Sequence, residues 1–331
     1  MAADSFIALV ERFPEHLSSA KLLGSEIKVS GVDKVVVSGM GGSAIAGSLL
    51  QTYCLEKAPQ LSVQVSRGYE VPGNVDKTTL VIAVSYSGNT EETLSAVKSA
   101  MRKGARVVVV ASGGKLKQQA EQLKKPVVEI PEGIQPRAAL PYLFLPLLNI
   151  LHNAGLIPDP SSEIQDSIDS LRGTAGTYKE RAKSLAEKLA GKVPLVYASD
   201  RMAGIAYRWK TQLNENAKVH AFSHVFPELN HNELVGFTKL NANYYMIIIE
   251  DESDNRRIKE RMRLTKEIAG SKGVPSTQIV IKGEHLLTRI LSAVHIGDLT
   301  SVYLAKATGV DPEPVVVIEN FKKELGKVPF V

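Results

Sequence analysis

Residues 79–94 read TLVIAVSYSGNTEETL. Six apolar or β-branched residues, Thr79–Val84, run directly into Ser85, Ser87, Asn89, Thr90 and Thr93, and a helical pattern begins at Glu91. A turn needs one or two such polar residues, not five. A strand with no polar face, ending in a loop that opens a helix, is the repeating unit of a parallel α/β sheet. The same plan recurs on both sides. KVVVS at 34–38 and RVVVVA at 106–111 are two further buried strands, with short ones expected at 62–66 and 126–130. Helices are expected over 43–53 and 91–103, the second stopped by Gly104.

The second half repeats the order. VPLVYAS at 193–199 precedes a helix over 203–216. YYMIIIE at 244–250 precedes a charged helix, and QIVIK at 278–282 precedes a helix over 286–307. The copies differ at the strand ends: SDRMAG (199–204) stands where the first half has SGMGGSAIAG (38–47), and EDESDN (250–255) where it has SYSGNT (85–90). The fold class expected is therefore α/β, with two doubly wound parallel-sheet domains. They would span residues 1–155 and 191–331, joined by a helical connection over 156–190 that opens with IPDPSS.

Composition narrows the function classes. The 331 residues suit two cores, and no apolar run reaches the roughly 20 residues a membrane helix needs. MAADSFIALVERFPEHL at the start carries acidic residues and reads as an amphipathic helix, not a signal peptide. One cysteine, Cys54, excludes an internal disulfide, so a cytoplasmic location is expected. Forty basic against 35 acidic residues leave a net charge of +5, suited to a small anionic substrate. Basic residues interleave with acidic ones and aromatics are 6%, so neither nucleic acid nor membrane is expected as partner.

The two loops that follow the first and third strands point to an anion. Glycines in SGMGGSAIAG let backbone approach a ligand closely, and a helix N-terminus offers unpaired N–H groups. Both loops would rim one crevice beyond the carboxyl ends of the strands. Two other readings compete. A capping box, Asn89 with Glu92, accounts for those two residues but not for Ser85 and Ser87. A dinucleotide fingerprint, Gly39-Met-Gly41-Gly42-Ser43-Ala44, lacks the acid expected about 20 residues on, where VQVSRGY places Arg67 instead, leaving an NADP reading open.

SGMGGSAIAG and SYSGNTEET together resemble the sugar isomerase (SIS) domain, a doubly wound fold that binds phosphosugars. With PRAALPYL (136–143), QLNENAK (212–218) and PELNHNE (227–233), the likeness extends over nearly the whole chain, in matching order. These motifs are similar to those of the archaeal-type bifunctional phosphoglucose/phosphomannose isomerases. The resemblance implies that Ser43, Ser85, Ser87, Thr90 and Gly42 hold the substrate phosphate, with Gly41 and Lys322 also touching substrate. It makes Glu215 the catalytic base, His231 the group that opens the sugar ring from a neighbouring subunit, and Arg137 the cation beside the reacting carbons. It implies a homodimer and no cofactor.

Read from the residues alone, Glu215 lies at a helix end among amides, a polar setting that a merely solvated glutamate does not need. Arg137 sits between two prolines, where a surface role is equally consistent. His220, His224, Glu228, His231 and Glu233 are enough ligands for a metal, but no His-x-His pair is present, and no metal site is assigned. At the other end, EPVVVIEN offers no hydroxyl to a sugar, which leaves the mannose activity open. The function expected is reversible aldose–ketose isomerisation of glucose 6-phosphate, and of mannose 6-phosphate, to fructose 6-phosphate through a cis-enediolate. The alternative is a non-catalytic phosphosugar-binding regulatory protein.

Overall fold

The computed structural model describes residues 2–328. In chain order its elements are α1 (Ala2–Glu11), α2 (Phe13–Ala20), β1 (Lys34–Ser38), α3 (Gly41–Lys57), β2 (Ser62–Ser66), β3 (Thr79–Val84), α4 (Glu91–Arg102), β4 (Arg106–Ala111), α5 (Gly114–Gln122), β5 (Val127–Glu129), α6 (Leu140–Asn153) and α7 (Ser161–Leu189). The second half adds β6 (Val193–Ser199), α8 (Ala203–Ala217), β7 (Phe222–Phe226), β8 (Tyr244–Asp251), α9 (Arg256–Ser271), β9 (Ser276–Ile281), α10 (Leu286–Ala307) and α11 (Val316–Leu325).

Two sheets form, in the orders β2-β1-β3-β4-β5 and β7-β6-β8-β9, and every pairing is parallel. Each strand is sorted by its period of two. Val35, Val37, Leu80, Ile82, Val108 and Val110 of the first sheet join Val196, Ala198, Ile247 and Ile249 of the second in one apolar core with α3, α6, α7, α8 and α10. Val36, Val81, Ala83, Val107 and Val109 face the other way, under α4 and α5. Tyr197, Met246 and Ile248 do the same under α9. Both faces of both sheets are thus covered, which is why the strands read as continuous apolar runs.

Three expectations are adjusted, and a fourth, the helical connection over 156–190, stands. The N-terminal amphipathic stretch is two helices, broken at Arg12 with Pro14 in the first turn of α2. The strand at 126–130 is only three residues, bracketed by Pro126 and Pro131, which have no N–H to give. Helix α3 begins two residues early and runs to Lys57, so the glycines form its first turn. The segment at 156–190 is mostly the 29-residue α7, whose Ile164, Ile168, Leu171, Leu185 and Leu189 are buried in the common core.

Candidate active site

The strand order of the first sheet reverses between β1 and β3, so a crevice opens beyond their carboxyl ends. The two hydroxyl-rich loops meet there. Gly39 brings the first loop onto the end of β3: a Cβ at this position would lie 2.7 Å from the Val84 carbonyl oxygen and 2.9 Å from Ser43 Cβ. In the second loop Gly88 has φ +64, and a Cβ there would lie 1.8 Å from Gly113 O. Only glycine lets this loop lie against the turn into α5. Ser85 is buried, and its hydroxyl meets that of Thr90 at 2.9 Å. Ser87 is exposed at the rim.

Capping does not account for these residues. The N-cap of α4 is Thr90, and its side chain makes no cap hydrogen bond. Asn89 instead donates to Ser87 O at 3.0 Å and accepts from Lys115 N at 3.1 Å. The N-cap of α3, Met40, has no capping side chain either. Two helices therefore direct their first turns at one crevice with no side-chain acceptor on their N–H groups, an arrangement suited to an anion.

The second loop also anchors the segment after β5. Tyr86 Oη donates to Pro131 O at 2.9 Å and accepts from Ile134 N at 2.8 Å. This pins the turn leading to Pro136 and Arg137, and a Cβ on Gly42 would come within 3.3 Å of Pro136 O. Arg137 is 4% exposed. Its Nε donates to Asn216 Oδ1 at 2.6 Å, and its Nη2 donates to Pro312 O and Glu313 O, each at 2.7 Å. Nη1 has only a 3.5 Å contact with Gln135 Oε1 and is the least committed nitrogen. Burial lowers the Arg137 pKa, while the carboxylates of Glu215 and Glu313 act against that shift.

Helix α8 carries the remaining groups to the same place. Arg208, fully buried, pairs with Asp298 of α10 at 2.6 Å and donates to Arg137 O at 2.8 Å. Asn216 is held in turn by Ser301, at 2.8 Å. Glu215 lies at the helix end, half-buried. Lys218, in the left-handed conformation at the C-cap, donates from Nζ to Glu215 O at 2.5 Å and to Pro312 O at 3.1 Å. Its pKa is lowered by burial and by the neighbouring Arg137 charge. The two hydroxyl-rich loops, Arg137 and Glu215 are thus drawn together. Asn216, Lys218 and the Arg208–Asp298 pair were not singled out from sequence; Asp298 stands as a lone acid inside the apolar α10, which was the available signal.

Two expected site residues stand apart within the chain. His231 ends the turn Glu228–His231 and is exposed. That turn is pinned to α9, with Asn230 Nδ2 donating to Thr265 Oγ1 at 2.8 Å. Lys322 is exposed on α11, a helix with no buried residue, although Pro312 and Glu313 just before it cover Arg137. Among the described residues no group of three or more His, Cys, Asp or Glu side chains is arranged to hold a metal ion. Glu233 instead accepts from Tyr197 Oη at 2.5 Å, and Glu228 accepts from Asn232 Nδ2 at 2.7 Å.

Comparison with known proteins gives the same outline. The SIS domain family matches residues 28–137, and the bacterial phospho-glucose isomerase C-terminal SIS domain family matches residues 178–325. A bifunctional phosphoglucose/phosphomannose isomerase of Caldicellulosiruptor bescii is 41% identical, covering 96% of this chain and 98% of its own. One of Aquifex aeolicus is 37% identical over 88% of this chain and 90% of its own. A D-glucosamine-6-phosphate 4-epimerase of Sulfolobus acidocaldarius is 33% identical, covering 89% and 90%. Among solved structures, a hypothetical protein of Thermus thermophilus superposes with a TM-score of 0.74 at 16% identity, over 98% of this chain and 90% of the other. No described helix is long and apolar enough to cross a membrane.

Proposed function

The chain belongs to the bifunctional phosphoglucose/phosphomannose isomerase family, and we propose that its first-half crevice is where it interconverts glucose 6-phosphate and mannose 6-phosphate with fructose 6-phosphate. It is an aldose–ketose isomerase. In this reading Ser43, Ser85, Ser87 and Thr90 bind the phosphate with the N–H groups at Gly41 and Gly42. Each charge-assisted hydrogen bond contributes on the order of 1.5–3 kcal/mol, so a few suffice as anchor. Glu215 takes the proton from C2 and returns it to C1. Arg137, through Nη1, balances the oxygen charge of the cis-enediolate. The enediolate has no C2 stereocentre, so both epimers are reachable from one intermediate. C1 is reduced as C2 is oxidised, with no net change, so the chemistry itself calls for no redox cofactor.

The single observation that carries this reading is the buried Arg137, seated on the phosphate loops by Gly42 and held by Asn216 beside Glu215. His231 is exposed and lies on another element, which suits a role in ring opening across a homodimer interface. Lys322 would reach substrate if α11 folds over the segment that already covers Arg137. The enzyme would be cytoplasmic.

The test is an assay of the purified chain with fructose 6-phosphate and no added metal or nucleotide, measuring both aldose products. Formation of glucose 6-phosphate and mannose 6-phosphate is expected. Binding of fructose 6-phosphate without turnover would instead favour a phosphosugar sensor. Turnover of glucosamine 6-phosphate alone would favour the chemistry of the Sulfolobus relative.

A further inference from the structure

A cleft of about 620 Å³ opens along the lower half of α3, where that helix meets the start of α8 and the edge strand β2. None of the residues placed above in the isomerase crevice lines it. Its volume falls within the range of about 300–1,000 Å³ usual for small-ligand sites. Two strand ends feed it: Arg67 comes directly after β2 and Asp200 directly after β6, the side of an α/β sheet on which ligands bind.

We propose that this cleft is a second binding site, separate from the isomerase crevice, for a nucleoside monophosphate. The chemistry of three side chains carries the assignment. Arg67 is exposed and has no carboxylate partner among the described residues; its Nη2 donates only to Ser48 Oγ, at 2.7 Å. The other arginine in the cleft, Arg201, is already committed to Glu56 at 3.3 Å and Asp251 at 3.6 Å. Arg67 is therefore the cation left for a phosphate, which it can grip through two N–H groups.

Tyr207 supplies the second group. It is 42% exposed, and the Arg67 guanidinium and Lys210 Nζ lie over its ring, 5.8 Å and 5.7 Å from the centroid. An aromatic face flanked by cations suits stacking with a flat heterocycle. Asp200, exposed at the same mouth, accepts hydrogen bonds only, which suits the hydroxyls of a ribose. Leu55 adds an apolar wall. A free phosphate would use Arg67 alone, and a sugar phosphate would leave Tyr207 and Leu55 bare. A nucleoside monophosphate uses all of these groups.

The experiment is calorimetric titration of the full chain with AMP, with adenosine and inorganic phosphate as partial probes. Saturating fructose 6-phosphate keeps the isomerase crevice filled. One AMP per chain is expected to bind, at least about tenfold more tightly than either fragment. Arg67→Met is expected to weaken AMP at least about tenfold while leaving fructose 6-phosphate turnover unchanged. Tyr207→Ala, on an exposed ring, is expected to weaken it several-fold with little effect on thermal stability. Absence of AMP binding at millimolar concentration would overturn the proposal, as it would if a second copy of the chain covered the cleft. So would loss of AMP binding when fructose 6-phosphate is present, or equal binding by Arg67→Met.

Discussion

The loops after β1 and β3 and those after β6 and β8 occupy corresponding places in two sheets of similar strand order, yet they are filled in opposite ways. In the first half the hydroxyls of Ser85 and Thr90 meet one another, Ser87 faces outward, and two helix N-termini carry no capping side chain. In the second half Asp251 is fully buried, with Arg289 Nε at 2.9 Å and Arg201 at 3.6 Å. Both arginines also approach Glu56 of α3, and Asp254 accepts from Asp251 N at 2.9 Å. The protein's own carboxylates neutralise the cations that a phosphate would seek. Topology makes two crevices; in the second, the arginines beside the loops after β6 and β8 are already paired with Asp251 and Glu56.

Four tests probe that contrast, in order of decreasing effect. The largest effect is expected at Glu215. Glu215→Gln should lower kcat by roughly 10²–10⁴-fold with KM nearly unchanged, because general acid–base catalysis is lost while the phosphate loops are intact. Near-normal turnover in a steady-state assay would remove Glu215 as the base.

Next comes Asp251, at the end of β8. Asp251→Asn leaves the buried Arg289 and the partly exposed Arg201 with Glu56 as their remaining carboxylate, which should cost about 3 kcal/mol in a urea titration. The KM of the protein that remains folded should not change. A raised KM would mean that the second crevice takes part in binding.

His295 of α10 lies in the core shared by both halves, stacked on Phe13 at 5.1 Å. Its effect should therefore fall on stability alone. Burial depresses its pKa from 6.5 to about 4. The folded state keeps it neutral, so its contribution is fully present above pH 6.5 and declines as pH falls toward 4, where the unfolded chain binds a proton the folded chain refuses. The loss should reach about 2 kcal/mol by pH 5. It is measured as the change in unfolding free energy between pH 7 and 5, and the change should shrink in His295→Leu. An identical pH dependence in that variant would show that other groups govern it.

The smallest effect separates the two sets of loops directly. Ser87→Ala with Thr90→Ala should raise KM at least about tenfold with little loss of stability. Ser253→Ala, in the corresponding loop of the second half, should change KM less than about twofold. Equal effects from the two variants would erase the distinction.

The fold was largely legible because its strands are buried on both faces. An unbroken run such as KVVVS admits few other readings, and β1, β3, β4 and β6 have the bounds expected of them. Helix ends were harder: α3 starts at Gly41 because glycine in a first turn does not distinguish loop from helix. The two hydroxyl-rich loops stood out because five polar residues in nine exceed what a turn needs. Arg137 was ambiguous because its burial depends on Asn216 and Pro312, which are 79 and 175 positions away. The Arg208–Asp298 pair was hidden for the same reason, each partner looking like an isolated charge on its own helix. Exposed Val317 and Phe321 on α11 show that an amphipathic pattern does not by itself say what covers it.

The contrast between the two halves is tested most directly by a crystal structure of the protein with fructose 6-phosphate bound. The phosphoryl oxygens should lie within hydrogen-bonding distance of Ser85, Ser87 and Thr90, with C1 and C2 reaching Glu215. A phosphoryl group found instead against the loop at Asp251–Asp254, or an empty first-half crevice, would contradict the account.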